Sequence, residues 1–225
     1  PDVPVAPPAS DLSVVTITDQ GTLEEWVARL ANAPLIAFDT ETTSLNYMQA
    51  EIVGVSFAIA AGEAAYVPLA HLNPGLEGQL DRDAVIEQLR PLLESPDVRK
   101  VGQHLKYDAN VLANHGITLR GIAHDTMLES YVLDAVGSRH DMGSLALKYL
   151  GQRVISFEEV AGKGAKQVSF DHVPVEQAAA YAAEDADVTL RLHEALAPRL
   201  EAEPALNSVY HRLELPLVPV LSKIE

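Results

Sequence analysis

The sequence predicts an α/β protein in which a mixed sheet of five to six strands is flanked by helices. Short apolar segments typical of strands come first, strands and helices then alternate, and helical periodicity dominates from Asp125 onward. The chain has 225 residues, of which 48% are hydrophobic and 21% are charged, so it can bury a substantial core. This composition is not that of a disordered chain.

The predicted elements follow in chain order. Strands are expected at 14–17, 35–39, 52–59, 64–68 and 98–102, with a hairpin turn at Gly62 before the fourth. A helix capped by Thr22 follows the first strand, because apolar residues recur there at helical spacing. Further helices are expected at 83–93, 107–115, 126–134, 142–150 and 174–200.

Composition also limits the class of protein. No apolar run is long enough to span a membrane, and the first residues lack the pattern of a signal peptide. The chain has no cysteine, which excludes disulfides and cysteine metal sites and fits a cytoplasmic protein. Residues 1–12 are rich in proline, and we expect them to form a linker.

The net charge of −16 argues against a broad basic surface for nucleic acid, since 16 basic residues face 32 acidic ones. If the ligand is nucleic acid, metal ions must bridge the like charges at the site, or a basic partner domain must supply affinity.

Asp39 and Glu41 close the apolar segment 35–38, and residues two apart on a strand share a face. Two carboxylates close together beside apolar residues repel each other and lose hydration, unless a cation neutralises them. Hard divalent ions such as Mg²⁺ take oxygen ligands of this kind. A solvated turn at the strand end is the alternative interpretation.

Two further carboxylates fall on apolar helix faces. Asp185 lies on the apolar stripe of helix 174–200 with Tyr181 one turn before it, whereas Asp187 is about 200° further round. Asp108 lies on the apolar stripe of the helix at 107–115. Each has a structural alternative, a Tyr–Asp hydrogen bond for the first and an acid favoured by the helix dipole for the second.

Together these residues have the composition of a two-metal site. Four convergent carboxylates can hold two divalent ions about 3.5–4 Å apart around a scissile phosphate, and the phosphate supplies further ligands. A neutral phenol can orient the attacking water by a hydrogen bond.

In this order, the residues resemble the three motifs of the DEDD exonucleases whose third motif is Tyr-x-x-x-Asp. Asp39-Thr40-Glu41 is similar to the first motif, Tyr107-Asp108 to the second and the segment 181–185 to the third. Longer phrases resemble the 3′→5′ proofreading exonuclease domain of bacterial DNA polymerase I (family A), at 101–103, 105–108, 125–131, 139–142 and 182–190. The resemblance spans residues 14–225.

The resemblance implies a ribonuclease H-like fold and a 3′→5′ exonuclease that releases nucleoside 5′-monophosphates with two Mg²⁺ or Mn²⁺ ions. Asp39 would contact both ions, and Glu41 and Asp185 would complete the site of the ion that activates water. Tyr181 would orient that water, and Asp108 would hold the second ion directly or through water.

Contacts to the DNA strand are also implied. Leu45 resembles a residue that wedges against the terminal bases, and Phe157 resembles one that packs on the frayed strand; ordinary core or loop packing is the alternative for both. Gln103, Tyr107 and Arg139 fall where the family contacts the strand. His104 departs from the family, which has Asn at this position. Whether His104 makes the hydrogen bond that the asparagine makes is left open.

The resemblance further implies an exonuclease domain at 13–203, followed at 204–225 by the start of a helix leading into a polymerase domain in cis. We expect a cytoplasmic monomer that acts on single-stranded DNA 3′ ends and does not bind membranes. A catalytically silent scaffold for a polymerase and an exoribonuclease of the same superfamily are the alternatives.

Overall fold

The computed structural model describes residues 12–73, 75, 78–137 and 139–224. The predicted linker 1–12 therefore lies outside the described residues except for Leu12. Within the described part of the chain, no helix combines the length and apolar character that crossing a membrane requires.

A six-stranded mixed sheet forms the centre of the described structure, in the order β1-β4-β3-β2-β5-β6. The strands are β1 (Ser13–Thr16), β2 (Ile36–Thr42), β3 (Ile52–Ala60), β4 (Glu63–Pro68), β5 (Lys100–Gly102) and β6 (Ile122–Asp125). The hairpin β3–β4 and the pair β2–β3 are antiparallel, whereas β1–β4, β2–β5 and β5–β6 are parallel. The prediction of a mixed sheet flanked by helices is confirmed.

Helices cover both faces of this sheet. They are α1 (Gln20–Asn32), α2 (Arg82–Leu93), α3 (Leu105–Asn114), α4 (Thr126–Leu133), α5 (Met142–Leu145), α6 (Phe157–Ala161), α7 (Val175–Glu201), α8 (Pro204–Val209) and α9 (Leu215–Ile224). A π-helical turn extends α5 over Ala146–Leu150, and another joins α8 to α9 over Tyr210–Glu214.

Strand β2 separates two cores because its side chains alternate. Ile36 and Phe38 pack into the larger core together with the buried faces of α1, α2 and α3. Ala37 packs on the other face, against Ala183 and Ala186 of α7. Residues 39 and 41 continue the α7-facing series, which directs their carboxylates at that helix.

Helix α7 lies close to the sheet because small side chains form its contact face. Ala182, Ala183 and Ala186 are fully buried there. The helix has 27 residues, so it is roughly 40 Å long and extends across the sheet.

The structure differs from the sequence prediction at several boundaries. Strand β2 continues through Thr42, so Asp39 and Glu41 lie within it rather than at its end. Asp19, not Thr22, caps α1, because the Asp19 carboxylate accepts hydrogen bonds from both the amide and the hydroxyl of Thr22. Strand β6 and helix α6 were not predicted.

Asp187 is also buried, contrary to its predicted place away from the apolar stripe. Its Oδ1 accepts a hydrogen bond of 2.7 Å from the amide of Gly62, and its Oδ2 lies 3.4 Å from the Arg191 guanidinium. Helix α7 is buried on two sides, so an acid away from one apolar stripe still meets protein.

The segment after α7 folds back onto the domain. Val218 is buried, and the Ser222 hydroxyl on α9 hydrogen-bonds to Asn110 of α3. The predicted boundary at residue 203 between an exonuclease domain and a lead into a polymerase domain stays a prediction.

Gly54 in β3 makes room for a buried tyrosine. It pairs with Glu41 of β2 and Pro68 of β4, and a Cβ at this position would lie 2.1 Å from the Tyr66 hydroxyl oxygen. Tyr66 is fully buried, and its hydroxyl is hydrogen-bonded at 2.7 Å to Nε2 of His71. A side chain at position 54 must therefore displace the Tyr66 ring.

We predict that Gly54→Ala lowers the free energy of unfolding by about 1–3 kcal/mol, because an overpacked core forces side chains or backbone to shift. Urea unfolding followed by the fluorescence of Trp26, the one tryptophan of the chain, measures the change. Gly143→Ala is the matched control, since a Cβ there meets its nearest neighbour at an ordinary 3.5 Å. Equal midpoints for the two variants would contradict the prediction.

Candidate active site

Asp39 and Glu41 lie in the middle of the sheet on its α7 face. Asp39 pairs with Ser56 and Glu41 with Gly54 across the antiparallel β2–β3 ladder. The ladder fixes the backbone of both residues, so neither carboxylate can move away without disrupting the central strand.

Helix α7 brings a third carboxylate to the same place. Ligand oxygens of Asp39, Glu41 and Asp185 lie within 4.8 Å of one another. Glu41 and Asp185 are each only 7% exposed. The structure thus brings together three of the four predicted carboxylates as a direct cluster.

The cluster is electrostatically unfavourable for ionised groups. Burial and the charge of Asp185 raise the pKa of Asp39 to about 8. Burial raises the pKa of Asp185 to about 8 as well, although the Tyr181 hydroxyl hydrogen-bonds to this carboxyl and opposes the shift. Burial together with the charges of Asp39, Asp185 and Asp108 raises the pKa of Glu41 well above its usual range.

The donor atoms fit a hard divalent cation. All are carboxylate oxygens, which Mg²⁺ and Mn²⁺ prefer. Buried Oε1 of Glu41 has no hydrogen-bond partner among the residues that the structure describes. A buried carboxylate oxygen without a partner is costly, and a cation at the cluster would remove that cost along with the repulsion. The residues can therefore bind a divalent metal.

Asp108 approaches from the edge of β2 instead of its α7 face. Strand β5 pairs with β2 only at Ile36 and Ala37, so the next part of that edge is open to α3. Oδ1 of Asp108 accepts hydrogen bonds from the amide of Thr40 at 3.1 Å and from its hydroxyl at 2.6 Å. Burial and the charge of Asp39 raise the pKa of Asp108 well above its usual range.

Tyr181 stands beside the cluster in an aromatic pocket. Its ring centroid is 5.8 Å from that of Phe170 and 6.4 Å from that of Phe157. Burial and the charge of Asp185 raise the pKa of this phenol, so it stays neutral at physiological pH. A neutral hydroxyl beside the carboxylates can donate or accept a hydrogen bond.

An open cleft of about 630 Å³ adjoins the three clustered carboxylates. Leu45, Tyr107 and Phe157 line this cleft, and their predicted contact with a DNA strand stays a prediction. Leu45 is 93% exposed and Phe157 39% exposed, which does not match core packing. The Tyr107 hydroxyl donates a 2.6 Å hydrogen bond to the carbonyl of Ser44 and so holds the loop that carries Leu45.

Gln103 and Arg139 lie outside this lining within the described structure. The Gln103 amide donates to the carbonyl of His140 at 2.8 Å and accepts from the Thr126 hydroxyl. Arg139 is 88% exposed at its side chain, and its Nε lies 3.4 Å from Asp141. Gln103 therefore anchors the loop that carries Arg139, and contact of either residue with a strand stays a prediction.

Sequence reasoning missed Thr40 and Asp125. The Asp125 carboxylate accepts hydrogen bonds from the amides of His104, Leu105, Met127 and Leu128, so it joins the starts of α3 and α4. Burial raises the pKa of this carboxyl to about 6. An acidic residue directly before a helix is a capping signal, so the sequence alone could have identified Asp125 as a cap.

His104 occupies a left-handed backbone conformation, with φ of 68°, immediately before α3. Asparagine and histidine are both enriched in that conformation among residues other than glycine. Histidine therefore suits the backbone requirement of this position.

Comparison with known proteins gives the family. The family model described as 3′-5′ exonuclease matches residues 14–201. DNA polymerase I of Pseudomonas aeruginosa is 60% identical over 221 residues, which are 97% of this chain and 24% of that protein. The chain thus spans about a quarter of the length of the relatives it matches.

Solved structures support the ribonuclease H-like fold. The polymerase structure of Pol1 from M. smegmatis, a complex with DNA primer-template and dNTP, superposes with a TM-score of 0.71 at 21% identity. The alignment covers 92% of this chain and 31% of that one. RNase D of Trypanosoma brucei, in complex with RNA U12, has a TM-score of 0.63 at 20% identity and covers 81% and 62%. The chain belongs to the 3′-5′ exonuclease family, in the form found in DNA polymerase I.

Proposed function

We propose that the chain is a metal-dependent 3′→5′ exonuclease that proofreads DNA, removing nucleoside 5′-monophosphates from single-stranded or frayed 3′ ends. The observation that carries this proposal is the convergence of Asp39, Glu41 and Asp185, with an unpartnered Glu41 oxygen, beside an open cleft. Such a cluster is stable in its ionised form only with cations, and phosphodiester hydrolysis is the chemistry that such cations support.

Each carboxylate has a place in holding two Mg²⁺ or Mn²⁺ ions. Two bound divalent ions would supply a nucleophilic water at neutral pH and stabilise charge on the leaving oxygen. The charge of Asp39 interacts with those of both Asp185 and Asp108, so Asp39 would contact both ions. Glu41 and Asp185 would complete the first ion site, and Asp108 would serve the second directly or through water.

Tyr181 would orient the attacking water. Its hydroxyl interacts with the Asp185 carboxyl, and its ring packs against both Phe157 and Phe170. Because the phenol stays neutral, it can act as a hydrogen-bond partner for water without adding charge to the cluster.

Selectivity follows from the cost of separating strands. The cleft is lined beside the carboxylates by Leu45 and Phe157, whose apolar surfaces can contact unstacked bases. A paired terminus must melt before it enters, and a mismatched terminus melts at lower cost. Proofreading preference then arises without reading base sequence.

A catalytically silent scaffold is less consistent with the site. All four acids and Tyr181 are present, and a protein that only supported a polymerase would gain nothing from holding three repelling carboxylates together, two of them buried. An exoribonuclease is the second alternative, and it has the same metal chemistry. The similarity to DNA polymerase I, at 60% identity, supports DNA as the substrate.

The same proposal includes a polymerase domain in cis and action as a cytoplasmic monomer. The relatives that match this chain are DNA polymerase I proteins about four times as long. Residues after α7 expose apolar side chains suited to such a contact, namely Leu213, Leu217, Val220, Leu221 and Ile224.

The direct test uses a 5′-labelled DNA single strand with Mg²⁺ or Mn²⁺, and a matched RNA strand beside it. A ladder that shortens from the 3′ end on DNA, and disappears in EDTA, supports the proposal. An intact DNA strand favours the scaffold, and faster degradation of RNA than of DNA favours the exoribonuclease.

We predict that Asp39→Asn lowers the exonuclease rate by at least about 10²-fold, because metal stabilisation of the transition state is worth several kcal/mol. Far-ultraviolet circular dichroism should stay that of the native fold, since the substitution is isosteric. Asp83→Asn is the control, with a side chain 84% exposed on α2. A near-native rate for Asp39→Asn would remove this residue from the site.

The raised pKa values predict how stability depends on pH in EDTA. The pKa values of Asp39 and Asp185 rise from 3.8 to about 8 on folding, so their stabilising contribution is present below pH 4 and lost as the pH rises through about 8. The free energy of unfolding should fall over this window by at least about 1 kcal/mol more than in Asp39→Asn/Asp185→Asn. Urea unfolding at several pH values measures this difference, and Mg²⁺ should reduce it. Parallel curves for the two proteins would exclude the predicted repulsion.

We predict that Leu45→Ala reduces cleavage of paired DNA ends by about threefold or more relative to single strands, because about 1 kcal/mol of apolar contact with the frayed bases is lost. Stability should change by less than about 0.5 kcal/mol, since the side chain is exposed. Met48→Ala is the matched control, 66% exposed and outside the cleft lining. An unchanged ratio of paired to single-strand rates in Leu45→Ala would contradict the wedge role.

A further inference from the structure

A second group of metal-ligating side chains lies away from the carboxylate cluster. His124 at the end of β6, Glu129 on α4 and His193 on α7 have ligand atoms within 4.8 Å of one another. His193 follows Asp185 by just over two helical turns, roughly 12 Å along α7. The two groups share no residue.

The distances within this group are short. Nδ1 of His193 lies 2.8 Å from Oε1 of Glu129, and Nδ1 of His124 lies 3.4 Å from the same oxygen. The two imidazole rings lie close together, with centroids 3.9 Å apart and an angle of 34° between their planes. Both rings therefore present the same nitrogen to one carboxylate.

The surroundings of Glu129 would favour a bound cation. Its side chain is fully buried, and Oε2 has no hydrogen-bond partner among the described residues. The side chains of His124 and His193 are 13% and 12% exposed, so both imidazoles lie near the protein surface, although Nδ1 of His124 is itself buried. A buried carboxylate with one oxygen unpartnered is unfavourable unless a cation binds it.

We infer that His124, Glu129 and His193 form a binding site for a transition-metal ion, with Zn²⁺ the best fit. Two imidazole nitrogens and one carboxylate oxygen are a donor set that suits Zn²⁺ and disfavours Mg²⁺, which takes oxygen ligands. Three protein ligands leave the fourth position of a tetrahedral ion to water.

Arg99 competes with the ion at this site. Its guanidinium donates a 2.9 Å hydrogen bond to Nε2 of His124, which leaves the proton of the neutral ring on Nδ1. Binding of a metal at Nδ1 moves the ring proton to Nε2, so the contact with Arg99 must break. Removing the guanidinium should therefore strengthen metal binding.

The site would act as a structural clamp. It joins the end of β6, helix α4 and the second half of α7, three elements that otherwise meet only through side-chain packing and hydrogen bonds. The same helix carries Tyr181 and Asp185, so the ion would fix the helix on which the nuclease residues lie. Metal binding to the folded state alone raises the unfolding temperature.

The test uses the Asp39→Asn/Asp185→Asn chain as parent, so that the carboxylate cluster no longer binds metal. Isothermal titration with Zn²⁺, and Co²⁺ absorption in the visible range, should show one equivalent bound with Kd of about 10 µM or tighter. Zn²⁺ should also raise the melting temperature of this parent. No nuclease readout is needed, so failure of the proposed activity would not affect the result.

Matched variants in the same parent make the test specific. His193→Gln and the isosteric Glu129→Gln should each weaken Zn²⁺ binding by about tenfold or more, whereas His172→Gln, a half-exposed histidine elsewhere, should not change it. Arg99→Gln should tighten binding by about threefold or more, as one nearby positive charge and one competing hydrogen bond are lost. If one ligand variant fails to fold by circular dichroism, the other decides.

Two outcomes would overturn the inference. Absence of saturable Zn²⁺ binding by the folded parent would make the group a hydrogen-bonded His–Glu–His cluster only. Equal binding by the parent and by a folded ligand variant would place the ion elsewhere on the chain.

Discussion

The repulsion among Asp39, Glu41 and Asp185 is the constraint that explains most of the architecture. Ligand oxygens of the three carboxylates lie within 4.8 Å of one another. Burial raises the pKa of all three carboxyl groups, and neighbouring charges within the cluster raise the pKa values of Asp39 and Glu41 further. Only a rigid frame can hold them together without cations. The β2–β3 ladder supplies that frame for the first two, and the alanine face of α7 lets the third approach closely. The fold thus holds together an unfavourable interaction that a bound cation would relieve.

The positions of these carboxylates could be predicted from the sequence wherever the spacing of apolar residues indicates which side chains are buried. Alternation in β2 placed Asp39 and Glu41 on one face, and the helical stripe of α7 placed Asp185 inward beside Tyr181. Periodicity failed where an element is buried on two sides, as at Asp187, which accepts a hydrogen bond from Gly62 in a distant turn. It also failed at β6, which has four residues, and at α6, which has five. Such short elements depend on tertiary contacts more than on propensity.

Sequence reasoning predicted Asp108 as a site residue but could not predict the contact that its carboxylate makes. The helix brings Asp108 near the cluster, but the carboxylate hydrogen-bonds to the buried edge of β2 at Thr40, which has no strand partner there in the described part of the chain. That edge is open because β5 stops pairing after Ala37, which is a property of sheet topology and has no local signature. The same topology explains why Asp39, Glu41 and Asp185 form a direct cluster, whereas Asp108 is held beside it by its hydrogen bonds to Thr40. An arrangement of three and one, rather than four equivalent ligands, suits two ions with different surroundings.

The net charge of −16 then limits how selectivity can arise. Under the proposed function, a chain with this charge would gain little affinity from the phosphates along a DNA strand, so contacts at the terminus and cations at the cluster would carry most of the binding. Weak binding along the strand has a consequence for discrimination. When little binding energy is available to melt a paired terminus, the cost of melting, a few kcal/mol per base, stays in the rate of the reaction. Under the proposed function, mismatched ends would avoid most of that cost and would be removed faster than paired ends.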